Sequence, residues 1–86
     1  PGHEAAREAL VEALLDAGEP SRARRALDAW PSASRGRDPR HLRLDGRLAL
    51  EHERRIESAA EVLGRAVAAA PNDAKARYLL ARAFHA

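Results

Sequence analysis

A helix-forming segment that stops at a proline sets the first limit on how this chain folds. Residues 60–73 read AEVLGRAVAAAPND, and a second apolar segment, ARYLLARAF, follows at residues 76–84. Proline lacks an amide hydrogen and its ring clashes with the preceding turn, so a helix that reaches Pro71 ends there. The chain is therefore predicted to consist of short helices divided by proline and glycine.

Apolar residues recur at three- and four-residue steps in five segments, a spacing typical of amphipathic helices. The five helices are predicted at roughly residues 3–17, 20–30, 39–52, 56–70 and from 74 onward. Gly18 is expected to end the first helix and Asp38 to cap the third, while either Asn72 or Asp73 caps the fifth. No segment alternates with period two over a useful length, so the chain is predicted to be all-α.

Each predicted helix carries an apolar stripe that we expect to pack against other helices, although one side of the fifth helix is expected to stay uncovered. In order along the chain, the stripes are Ala6, Ala9, Leu10, Ala13, Leu14 and Ala17; Ala23, Ala26, Leu27 and Trp30; Leu42, Leu44, Leu48, Ala49 and Leu50; Ile56, Ala59, Ala60, Leu63, Ala66, Val67 and Ala70; and Ala76, Leu79, Leu80, Ala83 and Phe84. Residues 31–38, PSASRGRD, combine turn-forming residues with no apolar periodicity, which predicts a loop.

The composition excludes several classes of protein. The 86 residues suit a single small domain, and the absence of cysteine excludes disulfides, thiolate catalysis and cysteine-based zinc sites. No apolar segment approaches the ~18 residues that a membrane-spanning helix needs, so no membrane insertion is expected. The formal net charge of +2 is a weak reason to expect nucleic-acid binding. Abundant arginine and alanine indicate a bacterial source, and either the cytoplasm or the periplasm is compatible with the sequence.

No group of residues has the spacing typical of catalysis or of metal binding. The histidines have no partner at metal-ligand spacing, and we expect all of them to be exposed or at helix ends. They are His3, His41, His52 and His85. No serine lies in a nucleophile elbow, and no glycine-rich phosphate loop is present. We therefore expect no enzymatic activity, no metal and no cofactor.

Small and apolar residues recur at matching positions in successive helices. The fourth helix carries Ala59-x3-Leu63-x2-Ala66-x4-Pro71, the second begins Ala23-x3-Leu27, the first carries Leu10-Val11-x2-Leu14, and the fifth carries Leu80-Ala81-x2-Phe84. Either Gly46 or Ala49 is expected to be the small residue where the third helix crosses a neighbour. Gly46 is favoured, because a glycine inside a helix otherwise costs about 1 kcal/mol without a gain.

This spacing resembles the tetratricopeptide repeat family, whose unit is a helix pair of ~34 residues. The resemblance implies antiparallel helix pairs stacked into a short right-handed α-solenoid of five helices. One domain would cover residues 1–86, with units at roughly 4–38 and 40–73 and a half unit at 74–86. The structural repeat positions are Leu10, Leu14, Gly18, Ala23, Leu27, Gly46, Ala59, Leu63, Ala66, Pro71, Leu80, Ala81 and Phe84. The sequence departs from the family at Trp30 and Val11, where small residues are usual.

The resemblance also implies a binding groove, because the first helix of each tetratricopeptide pair lines the concave surface. The implied partner-binding residues are Arg40, Arg43, Arg47, Lys75, Tyr78, Arg82, Glu8 and Glu12, with Ala5, Leu15, Asp16, Leu50 and Glu51 beside them. The three arginines of the third helix share one face and suit bidentate capture of carboxylates, which favours an acidic peptide or protein partner. Alternatively, these arginines form a solvated face, partly paired with Asp45, Glu51 and Glu12.

The sequence thus favours a non-enzymatic protein–protein interaction module, a scaffold within a larger bacterial assembly. An alternative is an accessory helical-repeat domain of a larger enzyme, such as a transferase or a glycan-handling protein. Nucleic-acid binding through residues 35–55 is less favoured, because acidic residues are scattered through that segment. The fifth helix is expected to leave one apolar side uncovered, which predicts either a fragment of a longer repeat protein or self-association through that helix.

Overall fold

The computed structural model describes residues 3–86, and this part of the chain is helical with no strand. The elements are α1 (Glu4–Asp16), α2 (Pro20–Asp28), α3 (Pro39–Leu48), a π-helical turn (Ala49–Glu53), α4 (Ile56–Ala69) and α5 (Ala74–Phe84). The prediction of an all-α chain with five helices is confirmed, and residues 31–38 form the connector between α2 and α3.

Local signals determine where the helices begin and end. Gly18 ends α1 with a left-handed φ of +71°, and the Gly18 and Glu19 amides donate to the carbonyls of Leu15 and Leu14, the bond pair of a Schellman motif. The Asp38 carboxylate caps α3 by accepting from the Arg40 amide at 2.9 Å. At α5 the structure decides between Asn72 and Asp73 as the cap.

Asp73, rather than Asn72, is the N-cap of α5. Its carboxylate accepts hydrogen bonds from the amides of Lys75 and Ala76, at 3.0 and 3.2 Å. These bonds satisfy two of the amides that an α-helix leaves unpaired at its start.

The third helix lies at the centre of the molecule. It packs against each of the other four helices, while α1 also packs on α2 and α4 on α5. Its apolar residues are buried on both sides: Leu44 and Leu48 join a cluster with α1 and α2, and Ala49 and Leu50 join one with α4 and α5. Gly46 is buried where α3 meets Leu63 of α4.

The last turn of the predicted third helix is π-helical rather than α-helical. The turn ends at Arg54, whose φ of 57° is left-handed, and the Arg55 amide closes it by donating to the Ala49 carbonyl at 2.9 Å. Two carboxylates of the turn reach different neighbours: Glu51 accepts from Arg82 of α5 and Glu53 from Arg24 of α2. The turn thereby links the end of α3 to α5 through Glu51 and to α2 through Glu53.

The apolar stripe predicted for α1 is wrong. Val11 and Leu15 are its buried residues, whereas Leu10 is 55% exposed. Of the other residues in the predicted stripe, Leu14 is half-buried, and the four alanines are exposed: Ala6, Ala9, Ala13 and Ala17. The observed stripe lies one residue, or about 100°, around the helix from the predicted one. Long-range contacts of α1 with the central helix, such as the ion pair from Glu8 to Arg43, accompany this orientation.

The fifth helix leaves part of its apolar stripe uncovered, as expected. Leu79 and Ala83 fill the contact with α4, Leu80 is half-buried, and Phe84 is 72% exposed. Ala81 is exposed as well. The structural repeat positions Leu10, Ala81 and Phe84 are therefore exposed.

His41 lies in the first turn of α3, at a helix end as expected, but it is not exposed. Its side chain is buried, with 5% of the residue exposed. The ring packs edge-on against Trp30 at a centroid distance of 5.1 Å, and both of its nitrogens have backbone partners. The other three histidines, His3, His52 and His85, are exposed or half-buried.

Candidate partner-binding cleft

Helices α1, α3 and α5 together enclose a concave cleft of about 430 Å³. Its lining residues are Glu12 and Asp16 of α1; Arg43, Leu44 and Arg47 of α3; Glu51 of the π-helical turn; and Lys75, Tyr78, Leu79 and Arg82 of α5. The structure thus brings most of the residues predicted for the groove into one surface. The two leucines lie at its floor, both nearly inaccessible to solvent.

Arg43 is the most enclosed charge in the cleft, with 6% of the residue exposed. Its guanidinium donates to Glu8 of α1 and, at 2.9 Å, to Asp73 at the start of α5. A third carboxylate, that of Glu12, lies 3.8 Å away. Burial lowers the pKa of Arg43, but the hydrogen bonds to Asp73 and Glu8 outweigh it and the net pKa is raised. Arg43 is therefore a permanent cation that ties the three helices together.

A second group of alternating charges crosses the cleft from α1 to α5. Arg47 donates to Asp16 at 2.6 Å and to Glu51 at 2.9 Å, and Arg82 donates to the other Glu51 oxygen at 2.7 Å. Burial raises the pKa of Glu51, but the hydrogen bonds from Arg47 and Arg82 prevail and the net pKa is lowered. Glu51 therefore stays ionised and holds both arginines in place.

The charges that remain open to solvent divide the cleft into two rims of opposite sign. The basic rim consists of Lys75 and Arg82, with Tyr78 between them on the same face of α5. The Lys75 side chain is 71% exposed and lies 3.7 Å from Glu12, while Arg82 stacks 5.8 Å over the exposed Tyr78 ring. The acidic rim consists of Glu12 and Asp16 on α1, and the Asp16 side chain is 69% exposed.

Two arginine predictions need correction. Arg40 does not line the cleft, because its guanidinium turns back to the Asp38 carboxylate, at 3.0 and 3.2 Å. Hydrogen bonds from Arg40 lower the pKa of Asp38, so this pair reinforces the helix cap. The alternative that groove arginines pair with acidic neighbours holds for Glu51 and Glu12, but Asp45 pairs instead with Arg24 of α2 at 2.7 Å.

Glu8, predicted as a groove residue, touches the cleft only through Arg43. Leu15 and Leu50 are buried in the core, and Ala5 is exposed outside the lining. The role of Asp73 was missed by sequence reasoning, although a signal was present. The signal was the position of Asp73 as a possible cap of α5, since the start of α5 lies within reach of Arg43 on α3.

Two further observations bound the chemistry of the site. Among residues 3–86, no group of three or more histidine, aspartate or glutamate side chains is arranged to hold a metal ion. Within the same range, no helix has the length and apolar character required to cross a membrane.

The cleft is thus an open, concave surface in which carboxylates and cations alternate and one exposed tyrosine lies between two cations.

A comparison of the chain with known protein families, with curated proteins and with solved structures detects no match.

Proposed function

We propose that this chain is a non-enzymatic protein–protein interaction module of the tetratricopeptide type, which presents the cleft to a peptide or protein partner. The observation that carries the proposal is the origin of the lining residues. All of them come from α1, α3 with its π-helical turn, and α5, while α2 and α4 contribute none. Alternate helices lining one concave surface is the arrangement through which helical repeats bind extended partners.

The helix contacts support a stacked-pair arrangement. α1 packs on α2 and α3 on α4, and α5 takes the place of the first helix in a further unit, while α3 contacts α1 on one side and α5 on the other. Small residues occupy the close approaches, with Gly46 against Leu63 and the fully buried Ala59 and Ala66 on α4. Such packing is compatible with a solenoid of antiparallel helix pairs.

The exposed groups favour a partner segment that carries an acidic residue. Arg43 and Arg47 are held by carboxylates of the chain itself, so they shape the cleft rather than offer free donors. Lys75 and Tyr78 are the most exposed groups on this side of the cleft, whereas Arg82 is held by Glu51. A partner carboxylate beside Tyr78 would meet the Lys75 ammonium. Tyr78 adds apolar contact area at a low cost in conformational entropy, as aromatic residues do at binding hot spots.

The acidic rim adds a preference for orientation. Asp16 faces the opposite side of the same cleft and is largely exposed, so it suits a basic or amide-bearing residue of the partner. A segment with an acidic residue towards α5 and a basic residue towards α1 would match both rims. Complementary charge of this kind gives a complex its register more than its affinity.

The proposal is tested by selecting binders from a random peptide library on the immobilised protein. Selected peptides are then measured by fluorescence anisotropy against the Lys75→Glu and Tyr78→Ala variants. Both residues are exposed, so the fold should persist, and each variant is expected to weaken binding about tenfold, equivalent to ~1.4 kcal/mol. Arg77→Glu is the matched control, because Arg77 is an exposed cation of α5 outside the cleft. An equal loss in Arg77→Glu, or no loss in the other two variants, would remove the cleft as the binding site.

A further inference from the structure

A buried histidine joins three parts of the chain. The His41 Nδ1 atom accepts a hydrogen bond from the Gly36 amide at 3.1 Å, and its Nε2 atom lies 3.0 Å from the Leu27 carbonyl at the end of α2. An amide can only donate and a carbonyl can only accept. The two partners therefore require the neutral imidazole with its hydrogen on Nε2.

Gly36 is held from both sides. While its amide donates to His41, its carbonyl accepts from Arg65 of α4 at 2.7 Å. Its φ of +69° is left-handed, a conformation that glycine adopts without steric cost. The connector 31–38 is thus fastened to α2 and α3 through His41 and to α4 through Arg65, and the exposed Arg35 side chain adds a 3.3 Å hydrogen bond to the Asp28 carbonyl of α2.

Protonation of the imidazole is incompatible with this arrangement. The imidazolium carries a hydrogen on both nitrogens, so Nδ1–H would point at the Gly36 N–H and the acceptor for that amide would be lost. His41 is also the third residue of α3, and a positive charge at a helix N-terminus is unfavourable. The ring can become charged only if Gly36 moves away.

The charged groups on the segments around the ring are Arg35, Arg37 and Asp38 of the connector, Arg40 of α3, Asp28 at the end of α2, Arg65 of α4, and Arg7 of α1, which lies beside Trp30. The Asp38 carboxylate is engaged by Arg40 and by the cap of α3. Neither ring nitrogen bonds to a carboxylate, because both are occupied by the backbone.

We propose that His41 is a protonation-controlled latch on the connector 31–38. With a neutral ring, the connector is docked on α2 and α4. With an imidazolium, the Gly36 amide is released and the connector leaves the end of α2, while the helices keep their packing. The effect is a local change of conformation, and it does not depend on whether the cleft binds a partner.

The test follows His41 and Gly36 in the intact chain by NMR as the pH is lowered from about 8 to about 4.5, the interval that contains histidine protonation. The ring carbons report the charge on His41, and hydrogen exchange reports protection of the Gly36 amide. Trp30, the chain's single tryptophan, supplies an independent fluorescence signal. We expect the ring, the amide and the Trp30 emission to change with one midpoint. Gly36 protection should fall about tenfold, as for the loss of one hydrogen bond, at constant helical circular dichroism.

Two variants separate the latch from other titrations. His52→Gln removes a histidine of the π-helical turn and should leave the shared midpoint unchanged, whereas His41→Gln should abolish it. The proposal is overturned if the ring titrates without a change at Gly36, or if the midpoint survives in His41→Gln. It is equally overturned if helicity is lost together with Gly36 protection, or if the chain unfolds before His41 becomes protonated.

Discussion

Gly46 of α3 lies against the side chain of Leu63 in α4, so near that a β-carbon at position 46 would be 2.5 Å from Leu63 Cδ2. That separation is shorter than any normal carbon–carbon contact. The absence of a side chain at Gly46 lets α3 lie this close to α4, and α3 packs on every other helix as well. The glycine is thus required by the packing, despite its low helix propensity.

Gly46→Ala is expected to destabilise the chain by about 1–3 kcal/mol, because the added methyl group overpacks the α3–α4 contact. Gly64→Ala is the matched control: Gly64 is also helical, and a β-carbon there would meet nothing within 4 Å. The control should be more stable than the natural chain by roughly 0.5–1 kcal/mol, the propensity gain of alanine. Urea unfolding followed by circular dichroism measures both. A Gly46→Ala variant as stable as Gly64→Ala would show that the two helices separate without cost.

Removing the Arg43 guanidinium is expected to destabilise the fold by about 2–3 kcal/mol, because Glu8 and Asp73 lose their shared cation in a poorly hydrated place. Arg43→Met keeps much of the side-chain volume and tests this by urea unfolding. Arg77→Met, at an exposed position, should change the stability by less than about 0.5 kcal/mol. If the two variants lose the same stability, Arg43 contributes no more than a surface residue.

Replacing Arg54 by glycine is expected to stabilise the chain by about 0.5–1 kcal/mol. Arg54 ends the π-helical turn with a φ of 57°, a conformation that costs a residue with a β-carbon ~1 kcal/mol or more and costs glycine little. The neighbouring Arg55 has a φ of −96°, so Arg55→Gly offers no such relief and should not stabilise. Thermal unfolding of both variants compares them, and a drop in the melting temperature of Arg54→Gly would contradict the argument.

Stability should fall in acid as the paired carboxylates become protonated. The pKa of Glu51 and the pKa of Asp73 are both lowered in the folded chain, because hydrogen bonds to arginines and, at Asp73, to amides outweigh burial. A lowered folded pKa contributes stability above the ordinary values of 4.5 and 3.8, and this stability is lost as the pH falls through the folded values. Melting temperatures measured from about pH 6 to about pH 2.5 test the direction.

The control for this pH dependence is Glu51→Gln, which cannot ionise at position 51. It should be less stable than the natural chain at neutral pH and should lose less stability on acidification. If both proteins show the same fall in melting temperature, Glu51 is not among the carboxylates responsible.

Helix boundaries were predictable because their signals are local. A glycine that ends a helix, an aspartate that caps one and a proline that interrupts one act within a few residues, and Gly18, Asp38 and Pro71 all lie at helix boundaries. The inward face of α1 was not predictable in this way. Leu10 with Leu14 and Val11 with Leu15 both satisfy helical spacing, and long-range contacts decide between them, including the one from Glu8 to Arg43.

The same limit applies to the cleft. Which residues gather there follows from the order of the helices, but the pairing of charges depends on distances between helices that the sequence does not contain. Arg43 looked like a free donor and is instead the most enclosed cation, whereas Lys75 and Tyr78 remain accessible. The hydrogen bonds of His41 likewise join residues that only the folded connector brings together.

The most direct test of the proposed cleft is a two-dimensional NMR titration of the isotopically labelled chain with a peptide selected from the library. We expect the largest amide shifts at the cleft residues of α1, α3 and α5, centred on Lys75, Tyr78 and Arg82, with small shifts along the outward side of α2 and α4. Shifts concentrated on α2 and α4, or on the exposed Leu10 and Phe84, would contradict the assignment of the cleft as the partner-binding surface.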